Sequence, residues 1–100
     1  MTLPEAIDIG NAAHVADQLT AAARDHPVVI IDMTATTFCD GAGTLAILQA
    51  YKRATDSGAE FRLAVTAPIV LRLFDLLRVD RLIDVYPSVE AARSVLPSSP

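Results

Sequence analysis

Phe38-Cys39-Asp40-Gly41-Ala42-Gly43-Thr44-Leu45 is the stretch on which the fold turns. An acid and three small residues stand between a β-branched run, Val28-Val29-Ile30-Ile31, and a helix-forming segment from Thr44 to Thr55. A short apolar run without alternation predicts a central strand buried on both faces. Thr34-Ala35-Thr36-Thr37 reads as the loop after it. Asp40 predicts a helix N-cap, its carboxylate accepting from the free N–H groups of a first turn made of Gly41-Ala42-Gly43. Gly58 stands where a C-terminal stop belongs. The pattern is strand, tight turn, helix.

The same alternation continues outward. Upstream, Asn11 predicts an N-cap, and Ala12 to Arg24 has high helix propensity with Val15, Leu19 and Ala22 on one face. Pro27 closes that helix. Downstream, Phe61, Leu63 and Val65 alternate with Arg62 and Ala64, which predicts a half-buried strand. Pro68 suits the first turn of a third helix reaching about Leu77. Leu82 to Tyr86 predicts a last strand. Ser88 then caps a short helix with Glu90 early and Arg93 late, as the dipole favours. The order β-α-β-α-β-α after a short N-terminal piece implies an α/β domain with a mostly parallel or mixed sheet. The domain is expected over residues 1–96, with Pro97-Ser98-Ser99-Pro100 as a frayed tail.

Composition limits the chemistry. The chain has 100 residues, enough for one hydrophobic core and too few for two. Hydrophobic residues make up 52% and charged residues 20%, a globular balance. A net charge of −4 argues against a phosphate-binding basic face, so no direct nucleic-acid partner is expected. No apolar run reaches the length of a membrane span, and Met1 to Glu5 lacks the start of a signal peptide. One cysteine, Cys39, cannot form an internal disulfide. A cytosolic domain is the expectation.

No catalytic constellation is visible. His14 and His26 are too far apart to share a helical face, and no Cys, His or carboxylate group has metal-ligand spacing. There is no Gly-x-Ser-x-Gly elbow. Gly41-Ala42-Gly43 lacks the second half, with its lysine, that a phosphate loop needs. Neither an enzymatic activity nor a cofactor or metal is expected. The apolar surface is more informative. Leu45, Ile47 and Leu48 span an arc of roughly 160° on their helix, wider than one core contact needs. The helix from Pro68 leaves only a thin polar strip at Arg72, Asp75 and Arg78. Some of this surface should meet a partner.

From about Glu5 to Leu96 the chain resembles a STAS domain, and most closely the bacterial anti-sigma factor antagonists. Glu5-Ala6-Ile7-Asp8 is similar to the family's Gly-Glu-Leu-Asp entry, and Val29-Ile30-Ile31-Asp32 to its central strand. Phe38-Cys39-Asp40-Gly41-Ala42-Gly43 falls on its apolar-x-Asp-Ser-Ser-Gly switch loop. Ala67-Pro68-Ile69-Val70-Leu71-Arg72-Leu73-Phe74 is similar to its later helix and Leu82-Ile83 to the strand after it. The resemblance implies a four-stranded sheet with about four helices. It also implies a partner: an anti-sigma factor, often of kinase fold, whose capture frees a sigma factor for transcription. In the family the kinase-type partner phosphorylates the second serine of the loop, which ends binding.

This sequence departs from the family at that position. Gly41 and Ala42 replace the two serines, so the phosphoacceptor hydroxyl is absent at Ala42. Thr44 is the nearest hydroxyl, expected to bond back to a carbonyl one turn earlier; Thr36 and Thr37 are other candidates. The expected partner-binding surface is Asp40, Gly41, Ala42, Gly43, Thr44, Leu45 and Leu48. Asp40 would hold the loop, the glycines would admit a partner's backbone, and the leucines would supply apolar contact. The family's first strand is short or missing, since only Met1 to Pro4 precede Glu5. An uncovered edge would invite a homodimer. The alternative role is a cytosolic STAS subunit of a membrane lipid-transport ATPase. A third is a sensor binding a nucleotide at the Gly41-Ala42-Gly43 turn.

Overall fold

The computed structural model describes residues 1–95, so the expected tail at 97–100 and the end of the domain lie outside the described residues. Its strands are β1 (Ala6–Ile7), β2 (Val28–Met33), β3 (Phe38–Cys39), β4 (Glu60–Val65) and β5 (Asp84–Tyr86). Its helices are α1 (Ala12–Arg24), α2 (Gly41–Asp56), α3 (Pro68–Leu76) and α4 (Val89–Arg93), with a 3-10 turn at Val79–Arg81. Every strand pairing is parallel, as the alternation of strands and helices requires. The sheet is split, however. β2-β4-β5 form one part and β1-β3 the other, in place of one four-stranded unit.

The N-terminal piece lies beside β2. The Asp32 N–H donates to the Met1 carbonyl at 2.6 Å, and the Leu3 N–H to the Asp32 carbonyl at 2.9 Å. The Met1 ammonium reaches the Ile30 carbonyl at 3.0 Å. This edge of β2 is therefore occupied. Among the described residues no strand pairs with the outer side of the N-terminal segment.

Two burial expectations exchange places. β2 was expected to be buried on both faces, yet Val28, Ile30 and Asp32 are half-exposed and only Val29, Ile31 and Met33 are buried. β4 was expected to be half-buried, yet Phe61 to Val65 are all buried. The cause is position: β4 lies between β2 and β5. Its Phe61 ring meets Tyr51 of α2 edge-on, with centroids 6.0 Å apart. Its other face is closed by α4, and Arg62 is only 3% exposed there. The guanidinium donates from Nη1 to the carbonyls of Ala92 at 2.8 Å and Val95 at 2.9 Å, and from Nη2 to Glu60 Oε2 at 2.7 Å. A cation thus satisfies carbonyls at the end of α4, where the helix dipole favours positive charge.

Local signals at the helix ends mostly hold. Gly58 has φ +88°, and the Ala91 N–H donates to Ser88 Oγ at 3.0 Å. Pro68 opens α3. Asn11 precedes α1 without capping it. Its side chain turns back to accept from the Asp8 N–H and donate to the Ala6 carbonyl, which ties the turn to β1. Arg78 ends α3 with φ 61°, a left-handed conformation that favours glycine.

The core gathers Leu3, Ile7, Val15, Leu19, Ile31, Met33, Ile47, Leu63, Val70 and Phe74. α1 and α2 meet through Ala12, Ala16 and Ala46. Side chains this small let two helix backbones approach closely.

Candidate functional site

The turn between β3 and α2 is held from inside. Asp40 is the N-cap of α2, and its Oδ1 accepts from the Gly43 N–H at 2.9 Å. The Thr44 N–H and Oγ1 both donate to the Asp40 carbonyl at 2.9 Å. The Asp40 N–H donates to the Ile7 carbonyl at 3.2 Å, which joins the turn to β1. These bonds take up donors that a helix start would leave free.

Gly43 is buried. A Cβ there would stand 2.7 Å from the Ile7 carbonyl oxygen, 2.8 Å from Ile7 Cγ2 and 3.0 Å from Cys39 Sγ. Gly43 was expected to admit a partner's backbone; it admits the chain's own β1. Thr44 is also buried, and its hydroxyl bonds back one turn as expected. Gly43 and Thr44 thus shape the turn and present no side chain to solvent. Gly41 is exposed, with nothing within 4 Å of a built Cβ. Ala42 is half-buried against the alanines that join α1 to α2. Leu45 is 56% exposed, whereas Leu48 is half-buried against the core. The outward surface is therefore Asp40, Gly41, Leu45 and the open sides of Ala42 and Leu48.

Two apolar residues missing from the expected surface border it. Phe38 in β3 is exposed. β1 runs parallel beside β3 with Ile7 opposite Cys39, and Ile9, two residues further on, is exposed too. The burial pattern of so short a strand gave no sequence signal for Phe38, and Ile9 carries no periodicity at all.

The other hydroxyls differ in access. Thr36 is buried and donates to the Pro4 carbonyl at 2.8 Å, whereas Thr37 is exposed. Asp32 at the end of β2 accepts from the Thr34 hydroxyl at 2.6 Å and the Thr34 N–H at 2.9 Å. Those bonds hold its carboxyl below the usual carboxylate value. Among the described residues no group of His, Cys, Asp and Glu is placed to hold a metal ion, and no helix is long and apolar enough to cross a membrane.

Cys39 is buried, with Sγ 3.6 Å from the Thr44 hydroxyl. Burial pushes its thiol pKa up, the hydrogen bond it shares with the Thr44 hydroxyl opposes this, and the Asp40 charge adds to the rise. The neutral thiol is therefore the native form. Its contribution to stability is complete below the ordinary thiol value and is lost as pH rises through the raised native value. At pH 8, alkylation of native Cys39 should run at least about tenfold slower than in the unfolded chain. The Cys39→Ala variant should lose this share of the alkaline decline in stability. Equal alkylation rates in native and unfolded chains would contradict the burial.

The STAS domain family model matches residues 1–92. The crystal structure of an anti-sigma factor antagonist from Mycobacterium paratuberculosis superposes with a TM-score of 0.83 at 21% identity, covering 93% of this chain and 80% of that one. A protein from Thermotoga maritima, described as a candidate anti-sigma factor antagonist, gives 0.81 at 19% identity, with 91% and 80% covered. At such identities the likeness concerns the fold. No curated protein matches significantly in sequence. The family model covers the strands, the capped turn and all but the last described residues, and the chain belongs to the STAS domain family.

Proposed function

We propose that this chain is an anti-sigma factor antagonist that binds its partner through the turn at Asp40 to Ala42 together with Leu45 and Leu48. The observation that carries this reading is the pairing of a tightly bonded turn with an open outer face. Gly41 leaves that face bare, Leu45 is exposed on the first turns of α2, and Phe38 is exposed in the strand that leads into the turn. A preformed apolar surface around a fixed backbone loses little entropy on binding. The family's phosphate would sit at Ala42, which offers no hydroxyl. The nearby Thr44 hydroxyl is buried and bonded to the Asp40 carbonyl. Binding is then independent of phosphorylation at this turn. The partner class is an anti-sigma factor, of kinase fold where the family's pattern holds, and the site of action is the cytoplasm. The role is regulation of sigma-dependent transcription by protein contact, without catalysis.

A charge added to this face tests the reading. Ala42→Asp combines two effects, because Ala42 also packs against α1. Gly41→Asp is the cleaner change, since the position is open and a helix N-terminus favours an acid. Leu45→Asp changes an exposed side chain. Wild-type chain should retain an anti-sigma factor from an extract of the source cell, identified by mass spectrometry. Leu45→Asp should weaken that complex by about tenfold or more, with little change in thermal stability. Retention of transport-ATPase subunits would favour the lipid-transport role instead. Equal retention of an anti-sigma factor by Leu45→Asp would exclude this face.

A further inference from the structure

A second surface, on α3 and the 3-10 turn after it, lacks a partner within the chain. Ile69 is 65% exposed, Leu76 68%, Leu77 49% and Leu82 59%. Ile69 and Leu76 are seven residues apart, so they lie on one stripe of the helix. Val70 and Phe74 occupy the opposite, buried side of α3.

The charges along α3, the 3-10 turn and the start of β5 are exposed and balanced. Arg72, Arg78 and Arg81 stand among Asp75, Asp80 and Asp84. Among the described residues none of the six forms an ion pair, even though Arg72 and Asp75 are three apart on one helix. The chain carries a net charge of −4, and these six residues contribute none of it. Two copies therefore repel elsewhere and can meet here without net repulsion. Arg78, moreover, holds a left-handed conformation that glycine would adopt at lower cost.

We infer that this face binds a second copy of the chain about a two-fold axis. An isologous interface must complement itself, and an apolar stripe flanked by unpaired charges of both signs does so. With the two α3 helices antiparallel, Arg72 of each copy faces Asp75 of the other. The apolar residues exclude water, and the crossed ion pairs set the register.

Sedimentation velocity on the full chain, from micromolar to near-millimolar concentration at low salt, tests the inference. The mass should rise from one chain to two. Leu76→Asp should raise the dimer dissociation constant about tenfold or more and leave the melting temperature in place. Arg72→Asp and Asp75→Arg should each weaken the dimer, and the double variant should regain it. A single chain at every concentration would overturn the inference. So would a dimer that Leu76→Asp leaves intact, which would place the contact at a strand edge, or a double variant no stronger than either single one.

Discussion

Arg62→Ala should destabilise the domain by about 3 kcal/mol or more and lower its melting temperature by at least about 12 °C. The side chain is buried under α4 and donates to the Ala92 and Val95 carbonyls and to Glu60. Removing it leaves the buried Ala92 carbonyl short of a donor, at about 1–3 kcal/mol where water cannot reach, and frees the partly buried Val95 carbonyl at lower cost. It also empties the space filled by the aliphatic stem. The Glu60 side chain is 26% exposed, so the ion pair itself contributes the smaller part. Arg62→Met keeps the volume and should lie between Ala and wild type. Hydrogen exchange should rise most in α4, which the guanidinium ties to the sheet. A melting temperature within a few degrees of wild type would mean that α4 is held by other contacts.

Gly43→Ala should destabilise by about 1–2 kcal/mol, whereas Gly41→Ala should be neutral or slightly stabilising. Alanine gains about 1 kcal/mol over glycine in a helix interior, and only part of that in a first turn, where both glycines stand. At Gly43 the gain is outweighed, because the new Cβ would meet the Ile7 carbonyl oxygen at 2.7 Å. That atom is backbone in the parallel β1-β3 pair, so relief requires moving a strand. At Gly41 the added methyl meets nothing. Urea denaturation of the two variants side by side reads the difference. Shifts of the same sign and size would remove the close approach of α2 to β1 from the account.

The opposite behaviour of these glycines shows which parts of the site the sequence disclosed. The cap at Asp40, the back-bonded Thr44 and the stop at Gly58 are local, and their residue types state their conformations. Which glycine faces inward depends on where β1 lies, and that is a long-range fact. The same holds for β2 and β4. A run of β-branched residues suggested the more buried strand, but strand order decides burial, and it puts β4 in the middle. Arg62 reads as an exposed position because α4, which accepts its hydrogen bonds, lies 30 residues further on. Phe38 stood in the stretch that revealed the turn, yet its exposure became visible only once β3 proved to be two residues long.

The central claim is that the turn at Asp40 to Ala42 binds an anti-sigma factor and that phosphorylation does not release it. The direct measurement is the affinity of the chain for that anti-sigma factor, once captured, before and after incubation with ATP and magnesium. Wild type should bind equally tightly in both conditions, and Ala42→Ser, which restores the family's hydroxyl, should lose affinity after ATP when the partner is a kinase. Loss of wild-type affinity after ATP, with phosphate found on the chain, would contradict the account.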